Sequence, residues 1–248
     1  MSRNNRINPK VSQNFITSQK YVREIISQTN IDKKDIVIEI GSGKGHFTRE
    51  LAENCYFLTA VEIDSKLVSM TRKSINSFEN VQVIHADILN YRFPKGAHSY
   101  KIYGNIPYNR STDIVKKIVF ESAAAYCFLI VEEGFAKRLT DYKRFLGLSI
   151  FPEVEMRIIR RIPRNYFHPK PKVDSVLIRL GRKESGMPPL DRDLYQYFVY
   201  KMVNKEYKKL FTKNQFRKAL KHARVTDIDC LTGEQVLSMF YSYKLFLN

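Results

Sequence analysis

Cysteine is scarce in this chain. Cys55, Cys127 and Cys230 lie far apart, and none belongs to a C-x-x-C pair. That spacing argues against a disulfide framework or a zinc knuckle and fits a reducing cytoplasm. Long apolar runs are missing as well. The longest, Ala123 to Val131, falls far short of the ~20 residues that span a bilayer. Glycine (10) and proline (9) are modest for 248 residues, and no repeat is present, which excludes collagen-like or low-complexity chains. The first 20 residues are polar and broken by Pro9, so no secretory leader is expected. Five histidines, His46, His85, His98, His168 and His222, have no metal-ligand spacing, and no metal is expected.

Acid is the most telling shortage. Asp and Glu total 25 against 42 Lys and Arg, a net charge of +17. A field of that sign attracts polyanions. The positive charge is also clustered. Residues 1–23 hold five basic residues and no acid. Residues 156–172 hold Arg157, Arg160, Arg161, Arg164, Lys170 and Lys172, again with no acid. Residues 201–224 hold nine basic residues and one acid, Glu206. A solvated surface interleaves both signs. Acid-poor stretches fit phosphate contacts, hence nucleic acid. No strongly apolar helix face accompanies them, so a membrane surface is the weaker reading.

The patterning divides the chain. Tyr21, Val22, Ile25 and Ile26 follow a Thr17 or Ser18 cap at helical spacing. Ile36 to Ile40 reads as a buried strand that ends in glycines. Tyr56 to Val61, Val81 to Ile84, Tyr100 to Tyr103 and Tyr126 to Val131 read as further strands. Helical stripes over Phe47–Ala52, Leu67–Ile75 and Ile114–Val119 alternate with them. This predicts an α/β, Rossmann-like, doubly wound sheet. Val154 to Ile162 and Val176 to Leu180 then alternate at period two, joined by a Pro-rich loop, as an antiparallel pair closing the sheet edge. Beyond a linker at Gly181 to Pro189, three amphipathic stripes predict a small all-helical domain. The expected division is 1–181 for catalysis and 182–248 for a helical, RNA-associated part.

Glu39-Ile40-Gly41-Ser42-Gly43-Lys44-Gly45 follows a strand and opens a helix. Glycines there permit a tight turn and close approach of a ligand. Alone, the loop is only a strand-to-helix turn. Glu62, 21 residues past Gly41, ends the next strand, where an acid can bind ribose hydroxyls. Asp87 follows the third strand, where a carboxylate can accept from an adenine amino group. The spacing is G-x-G-x-G, with His46 where a dinucleotide site wants a small residue. That favours a nucleoside without phosphates, S-adenosylmethionine (SAM), over NAD. Ile63 and Ile88 stand where they can flank the adenine ring or serve as ordinary core.

Asn105-Ile106-Pro107-Tyr108 follows the strand from Tyr100. Its chemistry suits an exocyclic amine. The adenine N6 is a poor nucleophile because its lone pair is delocalised. The Asn105 side-chain oxygen and the Pro107 carbonyl are expected to accept its two hydrogens and aim the lone pair. Positioning then carries the rate, without a strong base. Tyr108 offers an aromatic face to an extruded base. A bare proline turn is the plain alternative, and the upstream loop weighs against it. Glu132 and Glu133 point to opposite faces of a strand and are not an acid–base pair.

These two motifs, together with Ser12-Gln13-Asn14-Phe15-Ile16 and Tyr166-Phe167-His168-Pro169-Lys170-Pro171-Lys172-Val173, resemble rRNA adenine N6-methyltransferases. The stretches Asn204 to Tyr207 and Phe211 to Phe216 narrow the resemblance to the erythromycin-resistance (Erm) methyltransferases. It covers nearly the whole chain. It implies a SAM site at Asn14, Ile16, Gly41, Glu62, Asp87 and Asn105. It implies catalytic roles for Asn105 and Tyr108, and Phe167 stacking on the target adenine opposite Tyr108. The loop around Phe167 is basic and Pro-rich, which suits an RNA-facing aromatic; a core plug is the alternative. The resemblance further implies methylation of 23S rRNA, resistance to macrolides, lincosamides and streptogramin B, and a cytoplasmic enzyme, expected to be a monomer. Alternatives are a small-subunit rRNA dimethyladenosine transferase, a DNA adenine methyltransferase, and a non-catalytic nucleic-acid-binding protein on the same scaffold. The intact motifs argue against the last.

Overall fold

A computed structural model of the chain describes residues 14–95 and 99–247. Most of the first basic segment, Ser12, Gln13 and His98 lie outside those residues.

The chain forms two compact units. The first comprises Met1–Ala136 and Arg157–Gly181. Its centre is a seven-stranded sheet. In chain order the strands are β2 (Ile36–Ile40), β3 (Phe57–Glu62), β4 (Val81–His85), β5 (Lys101–Asn105), β6 (Tyr126–Glu132), β7 (Val154–Ile162) and β9 (Ser175–Arg182). Their spatial order is β4-β3-β2-β5-β6-β9-β7. Across the stretch β4-β3-β2-β5-β6 each adjacent pair is parallel. The apolar runs Ile36–Ile40 and Tyr126–Val131 are buried almost throughout, as a sheet covered on both faces requires. The two later strands close the sheet edge: β9 pairs antiparallel with β6, and β7 lies outside β9.

Four helices accompany the parallel strands: α1 (Gln19–Ile26), α2 (His46–Asn54), α3 (Ser65–Ser74) and α4 (Ser111–Glu121). Ser18 caps α1 by accepting the Tyr21 N–H, and Asp64 caps α3 by accepting from Lys66 and Leu67. Buried Tyr21, Val22, Ile25 and Ile26 join Leu51, Tyr103 and Phe128 in one core. A separate two-stranded ladder joins β1 (Phe15–Ile16) to β8 (Phe167–His168), with Ile16 opposite Phe167. The sequence reading contains no such ladder.

The second unit comprises Lys137–Met156 and Arg182–Asn248. The sequence reading places residues 137–156 in the first domain. The structure packs them with the C-terminal helices instead. The segment holds the last three residues of α5 (Glu133–Leu139) and all of α6 (Phe145–Ile150). Leu148 of α6 belongs to a core with Tyr195, Phe198, Met239 and Phe240. Those side chains come from α7 (Arg192–Val203) and α9 (Gly233–Leu245); α8 (Lys213–His222) completes the set. Glu153 is buried and accepts from Arg192 Nε at 2.9 Å, so its charge is compensated. Thr212 and Thr232 form capping boxes with Gln215 and Gln235, which satisfy the first amides of α8 and α9.

Candidate active site

In an open parallel sheet, ligands bind beyond the carboxyl ends of the strands where the strand order reverses. Here the chain leaves β2 for β3 on one side, and β5 lies on the other. A cleft of about 380 Å³ opens at that point.

The glycine loop forms its floor. Gly41, Gly43 and Gly45 all have positive φ, between 57° and 84°. The loop is braced: Gly41 N–H donates to the Val61 carbonyl at 2.8 Å, and Thr71 Oγ1 donates to the Gly43 carbonyl at 3.0 Å. A Cβ on Gly41 would meet only the Asn105 carbonyl, at 3.9 Å, so the space above it is an open cradle. A Cβ on Gly43 would stand 2.8 Å from the Phe15 ring.

Glu62 ends β3, buried, at the cleft wall. Its Oε2 accepts the Gly43 N–H at 2.9 Å, and its Oε1 accepts from Ile63 and Asp64. It therefore holds the loop as well as lining the cleft. Asp87 follows β4 and also lines it. Ile63 and Ile88 are both on the wall. This set fits an adenosyl amino acid: an open glycine cradle, a carboxylate after each of two strands, and apolar side chains on the wall. Ile16, expected in the SAM site, lines the cleft and is buried by its pairing to Phe167.

Asn105 closes β5. Its side-chain nitrogen donates to the Asn14 carbonyl at 2.8 Å. Only an amide nitrogen can donate to a carbonyl, which fixes the amide's orientation and leaves Oδ1 as an acceptor. The Pro107 carbonyl, in contrast, already receives the Arg110 N–H at 3.0 Å and the Ser111 hydroxyl at 3.1 Å. A carbonyl has two lone pairs, so the expectation that Pro107 accepts the second N6 hydrogen is corrected. Ile106 also lines the cleft, and among the described residues no donor meets its carbonyl. Tyr108 lines the cleft with its hydroxyl 2.5 Å from Ser175 Oγ. Burial raises its phenol above the ordinary value, so it stays neutral at physiological pH. It offers a ring, not a base.

Phe167 is placed elsewhere. Only 4% of it is exposed, it packs in the core around Ile16 and Tyr21, and it does not line the cleft. The expected exposed, RNA-facing position is corrected. Phe167 turns inward opposite Ile16, while Tyr166, the last residue of the 3-10 turn before β8, is exposed and stacks on Tyr21, 3.6 Å between ring centres. Phe15, Lys44, His46 and Arg110 also line the cleft, although the sequence assigns them no role there. Burial and Lys44 lower the His46 pKa, which keeps it neutral at the start of α2. The described residues contain no group of side chains able to hold a metal ion, and none of their helices is long and apolar enough to cross a membrane.

A family model described as ribosomal RNA adenine dimethylase matches residues 4–247. An rRNA adenine N-6-methyltransferase of Staphylococcus aureus is 58% identical over 242 residues, covering 98% of this chain and 99% of that protein. The crystal structure of the 23S rRNA methyltransferase ErmE superposes with a TM-score of 0.78 at 25% identity, covering 93% of this chain and all of that one. A dimethyladenosine transferase from Plasmodium falciparum shares the fold, with a TM-score of 0.74 at 22% identity over 93% of this chain and 98% of that one.

Proposed function

The chain belongs to the ribosomal RNA adenine dimethylase family, and from that premise we propose that it methylates the N6 amino group of one adenine in 23S rRNA. The consequence would be resistance to macrolides, lincosamides and streptogramin B. We place the enzyme in the cytoplasm as a monomer. The observation that carries the reading is one cleft lined by the glycine loop, Glu62, Asp87 and the Asn105–Tyr108 turn.

SAM, when bound, supplies an electrophilic methyl group. Asn14, Ile16, Gly41, Glu62, Asp87 and Asn105, which all line the cleft, are the residues proposed to hold it. Glu62 would receive the ribose hydroxyls while keeping the loop in place through Gly43. Asp87 would receive the adenine amino group.

Asn105 Oδ1 and the Ile106 carbonyl are proposed to accept the two N6 hydrogens of the target adenine. Two acceptors on one amine pull its nitrogen from planar toward tetrahedral and localise the lone pair. This is positioning catalysis, and no residue need remove a proton first. Tyr108 would stack on the extruded base, offsetting part of the unstacking cost. A second face from Phe167 would require the short β1–β8 ladder to part, because the ring is covered where it stands.

Labelled methyl transfer to protein-free 23S rRNA, 16S rRNA and duplex DNA tests the proposal. Label in one adenine of 23S rRNA alone is expected. Label in 16S rRNA would make the protein a small-subunit dimethyladenosine transferase, a reading that the shared fold accommodates equally.

A further inference from the structure

Arg110 stands two residues past Tyr108 and lines the same cleft as Asp87. Its guanidinium donates from Nη1 and from Nη2 to a single oxygen, Asp87 Oδ2, each at 3.2 Å. The other oxygen, Oδ1, accepts the Leu89 N–H at 2.9 Å. A carboxylate oxygen has two acceptor directions, so one guanidinium fills both on Oδ2. The turn that follows β4 holds Oδ1.

This is not the parallel two-oxygen fork by which arginine grips a carboxylate. The contacts are longer than the ~2.7–2.9 Å of strong charge-assisted bonds. The two side chains keep 29% and 22% of their surfaces exposed. A pair of this kind is held weakly and yields to a competing ligand.

We propose that Arg110 is a selectivity and positioning residue of the cofactor pocket, competing with the adenine 6-amino group for Oδ2 of Asp87. The inference rests on the reading above that Asp87 receives the adenine. An amino group at purine C6 donates. It suits the carboxylate but meets the guanidinium donor to donor. An oxo group at C6 accepts. It suits the guanidinium and is repelled by the carboxylate. Arg110 therefore loosens adenosyl binding and narrows the preference for adenine over hypoxanthine. Removing it frees Oδ2 for the amino group and takes away the only partner a 6-oxo group has in the pair.

Calorimetric titration of the full chain with S-adenosylhomocysteine and with S-inosylhomocysteine tests this without turnover. In Arg110→Met, S-adenosylhomocysteine should bind about two- to five-fold tighter, the range expected when a partly exposed ion-pair partner is removed. S-inosylhomocysteine should bind no tighter, so the preference between them widens. Arg110→Lys keeps one charge without the two-nitrogen contact and should fall between. In an Asp87→Ala background, Arg110→Met should no longer tighten S-adenosylhomocysteine. A structural role for Arg110 would shift both ligands together. If Arg110→Met leaves S-adenosylhomocysteine unchanged or weaker while Asp87→Ala weakens it, the competition is absent and the Asp87 site stands. If Asp87→Ala leaves it unchanged, the adenine lies elsewhere and both readings fall.

Discussion

Glu39 stands in the middle of β2, fully buried, with Oε2 lacking any hydrogen-bond partner among the described residues. Its loss of hydration, and to a lesser degree the Glu62 carboxylate, raise its pKa to about 8. The unfolded chain releases that proton near the ordinary carboxylate value. Between the two values the folded state binds more protons, so stability falls as pH rises through that window. A shift of that size corresponds to on the order of a few kcal/mol. Glu39→Gln should therefore flatten the decline in melting temperature from pH 5 to 8.5. Its gain over wild type should be largest at the alkaline end; parallel pH curves for the two proteins would show that Glu39 is not held neutral. For chemistry, Asn105→Ala should lose methyl transfer by at least about 100-fold, within the range of one oriented donor or acceptor at a reacting atom. It should keep its melting temperature to within a few degrees, since Asn105 makes one bond to the Asn14 carbonyl. Near-full turnover on 23S rRNA would remove Asn105 from the mechanism. Glu62→Ala differs, because three backbone donors lose their acceptor along with the proposed ribose contact. Weaker S-adenosylhomocysteine binding, by ~1.5–3 kcal/mol, should come with a lower melting temperature.

At the scale of elements, the parallel strands are legible because each is an apolar run with a stop signal. Ile36–Ile40 ends in Gly41, and Tyr126–Val131 ends in two glutamates. The helices between them carry their stripes at helical spacing. The β1–β8 ladder is not legible, because it is two residues long on each side and joins positions 151 and 153 apart. No periodicity marks so short a strand, and the direction of Phe167 depends on that pairing alone. The same limit hides the membership of 137–156. Leu148 is apolar, but nothing local says which helices cover it. Arg110 is in plain view beside the Asn105–Tyr108 turn; its contact with Asp87 depends on a turn of the chain at Asn109 and on the register of β4 against β3. Phe167 lends itself to a direct test. Truncating a buried phenylalanine costs ~3–5 kcal/mol, so Phe167→Ala should melt well below wild type, whatever its effect on methylation. Phe167→Leu keeps most of the bulk. If the ring acts only in the core, Phe167→Leu should retain both its fold and its turnover. A well-folded Phe167→Leu with impaired transfer to rRNA would instead mean that the ladder opens and the ring meets the base.

Across the whole molecule the excess of positive charge separates into two kinds once the contacts are known. Some of the clustered cations are neutralised by carboxylates, near or far in sequence. Arg160 pairs with Glu24 at 3.1 Å and Arg161 with Asp174 at 2.8 Å. Lys201 and Lys209 share Glu206, and Lys205 meets Asp229. These cations already have a carboxylate partner and are the poorer candidates for phosphate contacts. The remaining set is exposed and makes no ion pair among the described residues: Lys170 and Lys172 after β8, and Lys208, Lys213, Arg217, Lys218, Lys221 and Arg224 in and around α8. On α8 the spacing of Lys213, Arg217, Lys218 and Lys221 keeps the charges exposed while Ala219 is buried. A row of like charges with no acid between them is costly to the isolated fold and useful beside a polyanion. Each phosphate contact releases a counterion and steepens the log–log salt dependence of binding by roughly 0.7–0.9. RNA affinity measured across a salt series should therefore show a slope of several units. Replacing Arg217, Lys218 and Lys221 by Ala together should lower that slope by roughly 2, with the melting temperature and S-adenosylhomocysteine affinity unchanged. Replacing Arg160 and Arg161 should instead lower the melting temperature and leave the slope nearly as it was. If the α8 substitutions leave the slope intact, the RNA lies against another surface and the charge on that helix serves some other end.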